Sequence, residues 1–246
     1  VLAGRAALVT GGTRGIGRAI VDRLADAGAG VAILARKEHE LADLRSRLGA
    51  AGARVVTHAG SAGDPDAVAA AATRCVEELG GLHVLVCNAA ANPVAAPLVE
   101  LPASAASKVI EVNLLGPWHA ARIAWDTWMR EHGGVILNVA SVGGLQPAPL
   151  LGMYNVSKAA LCHLTRQLAL ELAPGVRVNA LAPGLVKTDM SRALYEHGED
   201  AAASLIPLGR LGLPADLADA ALFCVSDASS WMTGSVIVVD GGALLR

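Results

Sequence analysis

Short apolar runs of strand length alternate with longer helical stretches from one end of the chain to the other, and that alternation admits few folds. Repeated strand–helix–strand units build a parallel sheet with helices on both faces. The strand candidates are 6–10, 31–35, 53–58, 82–87, 135–140, 176–181 and 236–239. Helical stretches run over 15–27, 38–48, 65–79, 103–130, 153–173 and 214–226. Gly28 and Gly80 follow two of these as C-terminal caps would, and Asp64 before Pro65 reads as an N-cap with a first-turn proline. No linker interrupts the pattern, so all 246 residues are expected to form one doubly wound, Rossmann-type α/β domain. The stretch 187–213, with Gly198, Pro207, Gly209 and Gly212, fits least well and reads as a lid-like insertion or as a short surface helix.

Composition supports this class. Hydrophobic residues make up 53% of the chain and aromatic residues only 3%, a mix suited to strands buried on both faces and to helices lying close against them. A net charge of -2 offers no basic field for nucleic acid, which leaves a small molecule as the expected partner. Cys75, Cys87, Cys162 and Cys224 lie too far apart for a Cys-x-x-Cys site and read as small apolar fillers; no histidine pair has metal-ligand spacing. No apolar run is long and clean enough to span a bilayer, and the N-terminus lacks the pattern of a secretion signal, so neither a metal nor a membrane role is expected and the location is read as cytoplasmic. The chain opens on Val1 rather than Met, as a trimmed chain would. The sequon Asn155-Val156-Ser157 arises often by chance.

Directly after the first strand stands Thr10-Gly11-Gly12-Thr13-Arg14-Gly15-Ile16-Gly17, running into a helix. Glycines there permit a tight turn and a close approach of backbone to phosphate, while the helix start offers free N–H groups to an anion. An ordinary strand-to-helix turn is the plainer reading, but the flanking elements favour a dinucleotide pyrophosphate. At the end of the second strand, where an acid would bind a ribose 2′-hydroxyl, the chain has Ala35, Arg36 and Lys37. With Arg14 nearby, two guanidinium groups suit a 2′-phosphate, so NADP(H) is expected over NAD(H). The plainer alternative is a pair of solvated surface cations.

A second constellation is Tyr154-Asn155-Val156-Ser157-Lys158, with Ser141 at a strand end and Asn113 in a long helix. One helical turn separates Tyr154 from Lys158, so the ammonium is expected to stand beside the phenol and lower its pKa. Such a phenol can give or take a proton at a carbonyl oxygen, with Ser141 orienting that oxygen. Tyr-x-x-x-Lys by itself is usually a mere helix-surface pair.

In combination, these residues resemble the short-chain dehydrogenase/reductase family over nearly the whole chain. Thr10 to Gly17 is similar to its glycine motif, Asn113, Ser141, Tyr154 and Lys158 fall on its catalytic tetrad, and Pro183-Gly184 follows the sixth strand. The resemblance implies a seven-stranded sheet, Tyr154 as acid/base, Ser141 polarising the substrate oxygen, and Lys158 binding the nicotinamide ribose. It further implies that Asn113 holds a water linking Lys158 to solvent, and that Val186 and Thr188 hold the carboxamide. Gly11, Thr13, Arg14, Gly15, Ile16, Gly17, Arg36, Ser61, Asn88, Ala89, Pro183 and Gly184 complete the implied cofactor site. Two departures bear on cofactor affinity: Cys87-Asn88-Ala89-Ala90 replaces the family's Asn-Asn-Ala-Gly, and Ser61 replaces an adenine-contacting Asp.

The segments from Asn88 to Pro93 and from Leu181 to Thr188 look like the carbonyl-reductase and ketoacyl-reductase branches. Leu145, Leu150, Leu151 and Leu185, with Met190 as a further candidate, would form an apolar substrate wall, though each could equally be core. The expected activity is NADPH-dependent reduction of a ketone or aldehyde, or the reverse oxidation. A 3-oxoacyl thioester reductase is the alternative, and a non-catalytic NADP-binding regulator the remote one. The resemblance also implies a homotetramer paired through the 103–130 and 153–173 helices.

Overall fold

Successive side chains of a strand point to opposite faces, so a strand buried on both faces needs two helical layers. The computed structural model, which describes residues 1–92 and 94–246, shows this arrangement. Pro93, at the end of the branch-like segment after the fourth strand, lies outside the described residues. Seven strands, β1 (Ala6–Thr10), β2 (Gly30–Ala35), β3 (Val55–Ala59), β4 (Val84–Cys87), β5 (Gly134–Val139), β6 (Val176–Pro183) and β7 (Val236–Val239), form one sheet in the order β3-β2-β1-β4-β5-β6-β7. All six pairings are parallel. All seven strands stand where the apolar runs placed them, with ends shifted by at most two residues.

The helices are α1 (Gly15–Asp26), α2 (Glu38–Ala50), α3 (Pro65–Leu79), α4 (Ala103–Ile110), α5 (Gly116–Ala124), α6 (Arg130–His132), α7 (Gly152–Leu172), α8 (Glu199–Ser204) and α9 (Pro214–Val225). Ala7, Val9, Val31 and Ile33 face one layer, packing with Ile20, Val21 and Leu24 of α1, Leu44 of α2 and Leu217 and Ala221 of α9. Their strand neighbours Ala6, Leu8, Ala32 and Leu34 face the other, with Val68, Ala71 and Ala72 of α3 and Ala120, Ala121 and Ala124 of α5. Asp64 Oδ1 accepts from Asp66 N at 3.0 Å ahead of Pro65, and Gly80 closes α3 at φ +85°, as the punctuation implied.

The stretch 103–130 is helical throughout, as expected, but not uniformly α-helical: wide π turns at Glu111–Leu115 and Trp125–Met129 separate its α segments. Pro117 has no N–H to give the Asn113 carbonyl four residues earlier, and the hydrogen-bond ladder widens there, Gly116 N donating to Glu111 O. The insertion 187–213 holds a turn at Arg192–Leu194 and the short α8, and is fastened at its base, where Lys187 N donates to Gly212 O at 2.9 Å and Gly212 N to Leu185 O at 3.0 Å.

Strand order reverses between β1 and β4, whose ends Thr10 and Cys87 are register partners. Chain leaving these two strands diverges, and the crevice so opened is where α/β sheets bind ligands. The buried Thr10 hydroxyl accepts from Asn88 N at 3.1 Å and Ala89 N at 3.2 Å, holding the crevice floor together. Thr10→Val keeps the shape and removes the acceptor, so it is expected to lower unfolding free energy by about 2 kcal/mol in urea titrations and to weaken dinucleotide binding.

Candidate active site

The glycine turn lies on the β1 side of the crevice. Gly11 adopts φ +68°, and a Cβ there would sit 2.9 Å from the Ala89 Cα. A Cβ on Gly17 would come within 2.3 Å of both Asn88 Nδ2 and the Gly11 carbonyl. These close approaches follow from Asn88, whose amide donates to Thr10 O at 3.1 Å and Gly11 O at 3.0 Å. Asn88 thus clips the turn to the end of β4 through its side chain. Arg14 precedes α1 without capping it, and no acid occupies the first turn, so the positive helix end faces the crevice beside Gly15 and Ile16. Thr188, from the base of the insertion, stands over Gly15, its Cγ2 3.2 Å from where a Cβ would lie.

At the outer corner Arg14 and Arg36 are exposed, and their guanidinium groups make no hydrogen bond or ion pair among the described residues. Lys37 instead donates to Glu40 at 2.6 Å, and Thr13 donates its hydroxyl to the same carboxylate at 2.7 Å. Ser61, beyond the end of β3, accepts from Gly63 N at 3.2 Å.

Ser141 follows β5, where its Oγ accepts from Gly143 N at 3.1 Å. Tyr154 and Lys158 project from α7, with the lysine Nζ 5.6 Å from the phenol ring centroid. Lys158 is fully buried, donates to Val139 O at 2.7 Å, and has no carboxylate partner among the described residues. Burial pulls its pKa down to about 8. The expected lowering of the phenol pKa is corrected: enclosure of the Tyr154 hydroxyl raises it, opposed by its hydrogen bond with Ser141. The reason is geometric, since the Lys158 ammonium is directed to the β5 backbone rather than to the phenol oxygen.

Asn113 is fully buried in the first π turn, where its Oδ1 accepts from Ala91 N at 2.7 Å and its Nδ2 donates to Ala91 O at 3.0 Å and Ser157 Oγ at 3.1 Å. Its side chain therefore ties the chain leaving β4 to α7. Val186 pairs with Gly212 across the base of the insertion; Pro183 ends β6 and Gly184 follows it, with Asp240 too close for a Cβ at Gly184.

Leu145, half exposed, and Leu151, which bridges to Ala96, flank the loop that leads into α7, while Leu185 follows β6. Between the first two, Leu150 adopts φ +64°, unique among the described non-glycine residues, at a cost of about 1–2 kcal/mol. Motif reading gives no role of their own to three contributors: Glu40, and Thr10 and Asn155, which both lie inside the motifs; Asn155 Nδ2 donates to Ala148 O at 3.3 Å and steadies that loop. An Asn directly after the tyrosine was the only sequence signal for the last of these.

A dinucleotide-binding α/β sheet with Ser141, Tyr154 and a buried lysine at the mouth of its switch point defines an oxidoreductase of the nicotinamide-dependent type. Comparison with known proteins agrees. Residues 11–243 match the family model described as enoyl-(acyl carrier protein) reductase. Dehydrogenase/reductase SDR family member 4 of Homo sapiens is 38% identical over 251 residues, covering 100% of this chain and 89% of that protein. A short-chain type dehydrogenase/reductase from Mycobacterium marinum superposes with TM-score 0.93 at 34% identity, covering 100% of this chain and 97% of that one. An actinorhodin polyketide ketoreductase variant solved with NADPH gives TM-score 0.92 at 30% identity, covering 97% of each chain. The chain belongs to the short-chain dehydrogenase/reductase family.

Burial of Lys158 has a consequence for stability. Its folded pKa, about 8, lies below the ordinary lysine range, so the folded state disfavours the ammonium. The penalty is full below pH 8 and is relieved as pH rises toward the unfolded-state value. Wild-type protein should gain unfolding free energy between pH 8 and 10 from this group, and Lys158→Met should lack that gain, as denaturant titrations at each pH would record.

Proposed function

We propose that the protein reduces a ketone or aldehyde to an alcohol with NADPH, or runs the reverse oxidation, using Tyr154 as the acid/base. The observation that carries this reading is the buried ammonium of Lys158, placed beside Tyr154 with a single backbone acceptor. An ammonium so desolvated calls for further oxygen acceptors, which the hydroxyls of a nicotinamide ribose would provide. The glycine turn at Gly11, Gly15, Ile16 and Gly17 fits a pyrophosphate, and the free guanidinium groups of Arg14 and Arg36 fit a 2′-phosphate. Asn88, Ala89, Pro183 and Gly184 would wall this site, Ser61 would meet the adenine, and Val186 and Thr188 would hold the carboxamide.

When bound, NADPH supplies a hydride to the carbonyl carbon. Tyr154 gives its proton to the carbonyl oxygen, which Ser141 orients by hydrogen bonding. A lysine ammonium replaces the phenolic proton most readily when linked to solvent, and the Asn113 carbonyl, which Pro117 cannot engage, offers a place for the linking water. Leu145, Leu151, Leu185 and the strained Leu150 make an apolar wall suited to a ketone with hydrophobic substituents. The insertion 187–213 would cover this wall as a lid. Exposed Leu115, Trp118 and Val156 on the 103–130 and α7 helices support a homotetramer.

A second reading is a 3-oxoacyl thioester substrate: the similarity to a polyketide ketoreductase supports the keto group, and the family model's description names an acyl carrier protein, though with an enoyl rather than a 3-oxoacyl group. Delivery by an acidic carrier protein calls for free cations at the mouth, yet Lys187 pairs with Glu199, Arg192 with Asp189 and Arg210 with Asp216. These pairings favour a free small carbonyl compound. Following NADPH oxidation over ketones, diketones, aldehydes and ketoacyl thioesters tests both readings. Tyr154→Phe should cut turnover by about 10²–10⁴-fold while leaving NADPH binding intact. Equal turnover by the variant would refute the assigned acid/base, and NADPH binding without turnover on any substrate would favour a non-catalytic, regulatory NADP-binding protein.

A further inference from the structure

Glu40 stands in the first turn of α2 and joins two parts of the cofactor corner that are far apart in sequence. Its Oε2 accepts from the Thr13 hydroxyl of the glycine turn at 2.7 Å, and its Oε1 accepts from Lys37, next to Arg36, at 2.6 Å. These hydrogen bonds, together with the charges of Lys37 and Arg14, hold the Glu40 carboxyl below the ordinary range, so it is ionised at neutral pH. Of the three cations at this corner, Lys37 is thereby paired, while Arg14 and Arg36 are not.

We infer that Glu40 is a specificity-determining residue of the cofactor site. Holding Lys37 and placing a carboxylate near Arg14, it limits the corner's attraction for a 2′-phosphate; through Thr13 it fixes the turn that carries the pyrophosphate. This inference rests on the reading of Arg14 and Arg36 as the 2′-phosphate site. A corner of three free cations would grip the phosphorylated cofactor more tightly and so slow its release, a step of the kind that limits turnover in many enzymes. The plainer role for Glu40 is an acid complementing the α2 N-terminus, with a helix-surface partner three residues away. That role acts on folding alone and predicts no discrimination between the two cofactors.

The test measures binding of 2′,5′-ADP, NADPH and NADH to wild type and to Glu40→Gln by calorimetry, with melting temperatures as a folding control. Glutamine keeps an acceptor for Thr13 and removes the charge. The expected result is that 2′,5′-ADP and NADPH bind about three- to tenfold more tightly to the variant, as loss of one nearby surface charge implies, with NADH unchanged and the gain shrinking at high salt. Thr13→Val should weaken NADPH and NADH by the same factor. An unchanged 2′,5′-ADP affinity in Glu40→Gln, or an equal change for NADPH and NADH, would overturn the inference. Wild type binding NADH more tightly than NADPH would instead refute the 2′-phosphate reading, and a gain in 2′,5′-ADP affinity on removing the Glu40 charge would still support Glu40 in its role.

Discussion

The site depends on the junction between β1 and β4. Two parallel neighbours end level with each other there, and their following segments must part without leaving backbone groups unpaired. The Thr10 hydroxyl takes two N–H groups of the β4 exit, and the Asn88 amide takes two carbonyls of the β1 exit. This reciprocal exchange brings the chains so close that no side chain fits at Gly11 or Gly17. The glycine turn is therefore shaped by its neighbour strand as much as by any ligand, and α1 is presented with its N-terminus toward the crevice.

A second dependence runs through α7. Asn113 and Ser157 join this helix to the β4 exit, Lys158 joins it to β5, and Asn155 joins it to the loop that follows Ser141. Asn155, Ser157 and Lys158 all lie within about one turn of Tyr154, so the stretch of α7 that carries the phenol is fixed on three sides. Placing a lysine where only one backbone oxygen meets it works against stability, as does Leu150 in the left-handed region. Both costs fall at the mouth of the crevice, where a bound molecule can offset them, and neither is found in the packed layers below.

Much of this was legible in the sequence. Seven apolar runs became seven strands because parallel strands covered by helices on both faces are rich in apolar residues, most continuously in the inner strands, and the glycine turn and the Tyr154–Lys158 spacing depend only on near neighbours in the chain. Interactions across long separations were less legible. The widened turn at Asn113 had its cause in Pro117, but helical periodicity continues through such a turn, so 103–130 read as one helix. Thr13 appeared as a cofactor ligand, although its hydroxyl is turned to Glu40.

By itself, then, the sequence determined the α/β architecture, the family and the identity of the residues that gather at the crevice, because periodicity and motif spacing are local properties of the chain. Tertiary structure decided how those residues act on one another. Spacing put Lys158 one turn from Tyr154, but which oxygen receives the ammonium depended on where β5 lies, and that contact left the phenol governed by burial. In the same way, which of Arg14, Arg36 and Lys37 remain free was set by the packing of α2 against the glycine turn. Electrostatic effects of this kind depend on distance and solvent exclusion, and only the folded chain supplies either.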